Sequence, residues 1–148
     1  MSSSDSAPVT LERIASALDA MGIVPFVASN NQVAAILPTR TIRIVLPEGR
    51  PAQGVADYPR VFHPSHAQQL AQTIAMFNAT TYVPKVTTGP ADQGMIGVRV
   101  HHCFNWVTGV SDAQVNAEVS QFVLACVALM NRLDQMYPDQ WAKEAHDA

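Results

Sequence analysis

Charge is scarce in this chain of 148 residues: only 14% of the residues are charged, whereas about 25% is typical of a soluble domain. The nine lysines and arginines are scattered, and the formal net charge is −3. Because nucleic acid binding needs clustered cations that displace counterions, this pattern argues against a nucleic acid partner. No uninterrupted apolar run approaches the ~18 residues that a membrane span requires, so we expect no membrane insertion.

Cysteines and targeting signals are equally sparse. The first residues, MSSSDSAP, carry an acid and no basic region ahead of an apolar segment, so they do not resemble a signal peptide. We therefore expect a cytoplasmic protein whose two cysteines, Cys103 and Cys126, stay reduced and serve packing. The length predicts one domain over residues 9–138, between a disordered tail at residues 1–8 and a C-terminal tail at residues 139–148.

Caps and apolar periodicity predict three helices. Thr10 is a candidate N-cap for a first helix that runs to Met21, with Gly22 as its left-handed stop. Ser65 and Ser111 each precede a glutamine by three residues, the spacing of a capping box at the start of the second and third helices. The third helix continues for about seven turns to Pro138. Its apolar stripe has spacings of four and three residues: Val115, Val119, Phe122, Cys126, Leu129, Leu133 and Met136.

Short apolar or alternating runs predict five strands. They lie at residues 24–28, 33–37, 41–46, 80–87 and 95–107. The stretch 47–59 holds three prolines and two glycines, which predicts a long loop. Pro84 lacks a ladder N–H, so its strand is expected at a sheet edge or with a bulge. The resulting order, αβββαββα, predicts an α+β fold in which three helices pack on an antiparallel sheet of about five strands.

The segment RVHHCFNW, at residues 99–106, contains the side chains most capable of chemistry. Strand alternation places His101 and Cys103 on one face and His102 on the apolar face. A metal ion would need further ligands, for which His63 and His66 are the candidates. Neither a zinc spacing nor a nucleophile motif is present, and a structural strand is the simpler interpretation. A metal or thiol site built from these residues remains the alternative to a non-catalytic protein.

Recognisable catalytic patterns are missing from the rest of the sequence. There is no nucleophile elbow, no phosphate-binding loop and no dinucleotide fingerprint, and the acidic residues are spread singly. We therefore expect neither an enzyme nor a cofactor. A third hypothesis is a small-molecule pocket between the last helix and the sheet, lined by Phe104, Trp106 and Phe122.

The last helix is apolar over a wide arc, because Val123, Val127 and Met130 broaden its stripe. In a small domain with little charge, this surplus of apolar surface favours a partner contact, most simply in a symmetric homodimer. We expect the contact on the last helix and on the strand near Pro84. The residues predicted to form this possible interaction surface are Phe122, Leu129, Met130, Leu133, Pro84 and Lys85.

The second half of the chain resembles a known family. The stretch FNATTYVPKV, residues 77–86, resembles its pattern of a helix ending in asparagine and a strand carrying lysine. GVSDAQV, residues 109–115, is similar to its glycine–hydrophobic–Ser/Thr–x–x–Gln–hydrophobic junction, and the last helix ends in the matching Met136-Tyr137-Pro138. These motifs resemble those of the YbjN-domain family, described as bacterial sensory transduction regulators. Many members have Trp-Asn where this chain has Phe77-Asn78.

The resemblance covers residues 10–138 in element order, and its specific motifs lie between residues 77 and 138. It implies a small α+β domain with a fold similar to that of type III secretion chaperones, a dimer, and no known catalytic residues. The expected function is therefore a non-enzymatic protein-binding module with a regulatory or chaperone-like role. Its partners would be a second copy of itself and a protein that the sequence does not identify.

Overall fold

The computed structural model describes residues 7–38, 40–81 and 84–138. Within them it has three α-helices and six strands. In chain order these are α1 (Leu11–Ala20), β1 (Pro25–Ser29), β2 (Gln32–Leu37), β3 (Arg40–Val45), β4 (Gln53–Asp57), α2 (Ala67–Thr80), β5 (Lys85–Pro90), β6 (Ile96–Cys103) and α3 (Asp112–Met136). Of the predicted tails, residues 1–6 and 139–148 lie outside the described residues. The carbonyls of Ala7 and Pro8 accept hydrogen bonds from Arg13 Nη1 at 2.8 and 3.0 Å.

The six strands form one antiparallel sheet in the order β1-β2-β3-β4-β6-β5. The predicted α+β class is confirmed. β5 is an edge strand, as expected from Pro84, which immediately precedes its first residue. The strand predicted from residue 80 begins later, since α2 continues to Thr80. The other edge is β1, and the two edges lie at opposite ends of the sheet.

The predicted loop at residues 47–59 is wrong in its second half, because β4 lies there, between β3 and β6 in the sheet. The strand was missed because its sequence, QGVAD, has only one β-branched residue and no aromatic residue. Its small residues have a packing reason. A Cβ added to Gly54 would lie 2.5 Å from Cε2 and Cζ of Phe122, so the aromatic ring on α3 rests directly on the β4 backbone. The sheet therefore has six strands rather than about five.

Two of the three predicted helix starts are confirmed. The hydroxyls of Thr10 and Ser111 each accept a hydrogen bond from the backbone N–H three residues later, at 3.3 and 3.2 Å. The capping box at Ser65 is wrong, since a 3-10 turn at Pro64–His66 precedes α2. There His63 provides the cap: its Nδ1 accepts a hydrogen bond from the backbone N–H of Ser65 at 3.1 Å.

The end of α2 is attached to β5 by the residues of the FNATTYVPKV motif. The Asn78 amide pairs with the backbone of Val86 twice, donating to its carbonyl and accepting from its N–H, both at 2.9 Å. Lys85 Nζ donates to the carbonyls of Asn78 and Thr81 at 3.3 and 3.4 Å. A cation at a helix C-terminus is favourable because the carbonyl ends are partly negative. These two polar residues therefore have a structural role, joining helix to strand.

The helices pack on one face of the sheet, and the core lies between them. Inward-facing strand residues such as Val33, Ile42, Ile44, Val98 and Val100 are at most 2% exposed. The apolar stripe of α3 faces this core as predicted, except Met136, which is 42% exposed. We call the opposite side of the sheet the outer face. Its side chains are exposed or half-buried apart from Ala34.

Candidate functional site

The strand RVHHCFNW is assigned to β6 and the residues that follow it. His101 lies on the outer face, between Val55 of β4 and Lys85 of β5. His63 and His66 lie in the exposed turn that leads into α2. Across residues 7–38, 40–81 and 84–138, no three His, Cys, Asp or Glu side chains are grouped closely enough to hold a metal ion. The structure thus does not assemble the metal site proposed from His101, Cys103, His63 and His66.

His102 points to the inner side of the sheet, where it contacts aromatic rings. Its imidazole lies 4.8 Å from the ring of Phe104 and 6.2 Å from that of Phe122, between centroids. Burial lowers the pKa of His102, and the nearby carboxylate of Glu118 opposes this shift only in part. The imidazole is therefore neutral in the folded chain near neutral pH. Trp106 Nε1 donates to Glu118 Oε2 at 2.8 Å, which joins the segment after β6 to α3.

The pocket predicted from Phe104, Trp106 and Phe122 is filled by those rings themselves. Phe104 stacks on Trp106 with centroids 4.2 Å apart and meets Phe122 edge-on at 5.6 Å. The neighbouring cavity has a volume of about 30 Å³, room for a water molecule but not for a metabolite. That prediction is therefore wrong at this place. The cavity is lined by Pro84, His102, Glu118, Gln121 and Phe122.

The two cysteines lie in opposite environments. Cys126 is buried in α3, and burial raises the pKa of its thiol to about 12. Cys103 is exposed at the end of β6 on the outer face. The prediction that both serve packing therefore holds for Cys126 but not for Cys103. Because the thiolate is the reactive species, the two thiols should differ greatly in reactivity.

We expect a disulfide reagent such as Ellman's reagent to modify one thiol per folded chain and two per unfolded chain. Substituting Cys103 by serine should abolish the reaction of the folded protein, whereas Cys126→Ser should leave its rate unchanged. Absorbance at pH 8 in the presence and absence of guanidinium measures both values. Modification of two thiols at equal rates in the folded chain would contradict the burial of Cys126.

The residues predicted for an interaction surface are mostly core. Phe122 and Leu129 are 3% and 7% exposed, Met130 and Leu133 are fully buried, and Pro84 is also buried. Only Lys85 is exposed. The wide apolar arc of α3 is explained within the chain, since the sheet covers one part of it and α1 packs against another. These five buried side chains therefore expose little surface to a partner.

By length and composition alone, α3 is apolar enough to cross a membrane. Its most apolar 18-residue window has a mean hydropathy of 1.3, and 39% of that window is buried inside the fold. The core helix of a globular domain passes the same test, so this property is weak support for membrane insertion.

Exposed apolar side chains gather instead at the β1 edge of the sheet. Val24, Phe26 and Ile36 are 71%, 59% and 50% exposed. Phe26 is paired with Ala34, and the Ile36 N–H donates to the Val24 carbonyl at 3.5 Å, which places the three side chains together on the outer face. We call these three residues the β1 patch. The strand itself, PFVAS, has no charged residue.

The outer face is charged nearer its middle. Asp57 on β4 accepts hydrogen bonds from Arg99 Nε at 2.7 Å and from Arg43 Nη2 at 3.3 Å. Two guanidinium groups thus face a single carboxylate, and one positive charge remains in excess. All three side chains are well exposed, so each ion pair contributes little to stability.

A second polar cluster ties the end of α3 to the sheet. Asp134 accepts hydrogen bonds from the Tyr58 hydroxyl and from Arg40 Nη2, the latter at 2.5 Å. Arg60 donates to the Tyr58 hydroxyl at 2.6 Å and to the carbonyl of Tyr137. We call Arg40, Tyr58, Arg60 and Asp134 the α3 clamp. Burial and the Asp134 hydrogen bond raise the pKa of Tyr58. These residues are far apart in sequence, and no sequence motif predicted that they would form a cluster.

Comparison with solved structures agrees with this architecture. The fold is similar to that in the crystal structure of YbjN, "a putative transcription regulator from E. coli". The TM-score is 0.69 at 17% sequence identity, over 88% of this chain and 96% of that chain. No protein-family profile matches the sequence, and no curated protein sequence is significantly similar to it. The resemblance noted in the sequence is therefore confirmed at the level of structure: this chain has a YbjN-like fold.

Proposed function

We propose that this chain is a non-enzymatic protein-binding module that acts as a homodimer in a regulatory or chaperone-like role. The YbjN-like fold supports the regulatory part, since the similar structure is itself described as "a putative transcription regulator". The observation that carries the binding part is the β1 patch. Three large apolar side chains, each at least half exposed, lie at or beside β1, whose outer edge pairs with no strand among the described residues.

An apolar strand edge of this kind is expected to be covered by another part of a protein. Sheet edges expose unpaired N–H and C=O groups, and proteins usually protect them with charged residues, helices or loops. β1 has no charge, and within residues 7–38, 40–81 and 84–138 its protection is limited to Pro25 at its start and an irregularity between Val27 and Ser29. Exposed apolar clusters with such an edge are typical of protein–protein contacts.

The occupant we infer is a second copy of the chain. In a two-fold symmetric interface the same patch of each copy meets its counterpart. An uncharged apolar patch can do so because it causes no like-charge repulsion. Antiparallel pairing of β1 with β1 of the second copy would extend the sheet and satisfy the free backbone groups of both edges. Phe26 would then lie near the symmetry axis, where burial of its ring contributes most.

Sedimentation velocity of the full-length chain and two variants tests the dimer. We expect the native chain to be dimeric at about 50 µM, a concentration at which weak dimers still assemble. Phe26→Glu should be monomeric, because it places like charges against each other at the interface. Val107→Glu is the matched control, since Val107 is 76% exposed but lies outside the patch. A monomeric native chain, or a dimeric Phe26→Glu variant, would refute the proposal.

A further inference from the structure

A groove of about 410 Å³ lies on the outer face at the end of the sheet away from β1. β6 forms its floor, because β6 lies between β4 and β5 in the sheet. β5 and the turn after it form one side, and the segment after β4 forms the other. The lining residues are Asp57, Tyr58, Val61, Thr87, Thr88, Gly89, Pro90, Ala91, Gly97, Val98 and Arg99.

The floor of the groove is a cross-strand pair of glycines, Gly89 on β5 opposite Gly97 on β6. Neither glycine has a positive φ, so the backbone conformation does not require them. Packing does not require them either. A Cβ at Gly89 would meet no atom within 4 Å, and one at Gly97 would meet its nearest neighbour, Ala91 Cβ, at an ordinary 3.8 Å.

Glycine inside a strand costs stability, because it loses more backbone freedom on folding than other residues. In strands it often marks a place where a ligand or another backbone approaches closely. Since the described part of the chain offers no contact that needs this bare floor, an external backbone is the natural explanation. The contrast with Gly54 is clear, since there the ring of Phe122 fills the space.

The chemistry of the groove favours an acidic partner. Arg99 and its ion-pair partner Asp57 both line it, and Arg43 on β3, beside the lining, contacts the same carboxylate, so the three side chains together carry one positive charge in excess. Val61 and Pro90 add apolar surface, and Thr87 adds a hydroxyl. Most of these side chains are exposed, so the groove is open along its length. Small-molecule sites usually bury about 70–90% of their ligand, whereas an open groove suits an extended chain segment.

We propose that this groove binds an extended segment of another protein that carries acidic side chains. The segment's backbone would pass over Gly97, and a carboxylate would pair with Arg99. The inference rests on the proposed protein-binding function and adds the chemistry of the partner. It does not depend on the β1 patch, which lies at the opposite end of the sheet.

Nuclear magnetic resonance of the ¹⁵N-labelled full-length chain tests the groove. The probes are two capped hexapeptides, one alternating valine and glutamate and the other alternating valine and glutamine. We expect the glutamate peptide to shift the amide signals of Thr87, Gly89, Gly97 and Arg99 saturably. The glutamine peptide differs from it only in charge. It should bind at least tenfold more weakly, because it has no carboxylate to pair with Arg99.

Gly97→Val is the decisive variant, because its side chain fills the groove and valine suits a strand. It should lower affinity for the glutamate peptide at least tenfold without lowering the melting temperature. Thr41→Val, on the outer face at β3, is the matched control and should bind normally. Arg99→Gln should also bind at least tenfold more weakly, which covers the case in which the valine variant folds poorly.

Three results would overturn the groove proposal: equal binding of both peptides, signal shifts confined to the β1 patch, or no saturable shift at millimolar peptide. Undiminished binding by well-folded Gly97→Val would do the same. None of these results bears on the dimer, which sedimentation measures separately. Conversely, a monomeric chain that still binds the glutamate peptide at Gly97 would refute the dimer and keep the groove.

Discussion

Gly54→Val should destabilise the fold by about 3 kcal/mol, the upper end of the usual cost of overpacking a core. Even the Cβ of alanine would lie 2.5 Å from the Phe122 ring. That ring cannot swing aside freely, because it is 3% exposed and packs edge-on against Phe104. Alanine should therefore cost about 1–2 kcal/mol and valine more. Urea unfolding followed by circular dichroism measures both values.

Gly89→Ala is the control for that series, because a Cβ there meets nothing within 4 Å. It should be neutral or slightly stabilising, since alanine restricts the unfolded chain more than glycine does. If Gly54→Ala were as well tolerated as Gly89→Ala, Phe122 would not rest on β4 as described. The registration of α3 over the centre of the sheet would then be wrong.

Asp134→Ala should destabilise the fold by about 2 kcal/mol, because it removes the acceptor shared by the α3 clamp. The side chain of Arg40 is only 10% exposed, so its guanidinium would lose its carboxylate where water replaces it poorly. Tyr58 would lose its hydrogen-bond acceptor as well. Asp134 itself is 48% exposed, which keeps the cost below that of a fully buried ion pair.

Asp19→Ala provides the comparison for the clamp variant. Asp19 is an exposed carboxylate in the last turn of α1, where negative charge is unfavourable next to the helix carbonyl ends. Its removal should leave the unfolding free energy unchanged or raise it slightly. Equal effects of the two substitutions would mean that the clamp does not hold α3 to the sheet.

Local signals predicted the helices well but not the centre of the sheet. Thr10 and Ser111 are caps that a short sequence window reveals, and the α3 stripe repeats over many turns. β4 has no such signal, because its small residues make room for the ring of Phe122. Phe122 lies 68 positions away from Gly54 in the sequence. Tertiary packing selected glycine and alanine there, and in the sequence these residues resemble a loop.

Surface assignments failed for a related reason. The wide arc of α3 and the alternating residues of β1 look equally apolar in sequence, yet Met130 is buried while Phe26 is 59% exposed. Only the tertiary structure shows that β1 is an edge strand and that α1 covers part of α3. The groove floor was also missed, because Gly97 in a strand is informative only once its empty surroundings are known.

Hydrogen exchange of the β1 amides at two protein concentrations is the most direct test of the proposed binding role. If two chains pair through β1, the N–H groups that point away from β2 should become protected as concentration rises from about 1 to 100 µM. The same amides in Phe26→Glu should exchange rapidly at both concentrations. Rapid, concentration-independent exchange in the native chain would show that β1 stays a bare edge, and self-association through it would be excluded.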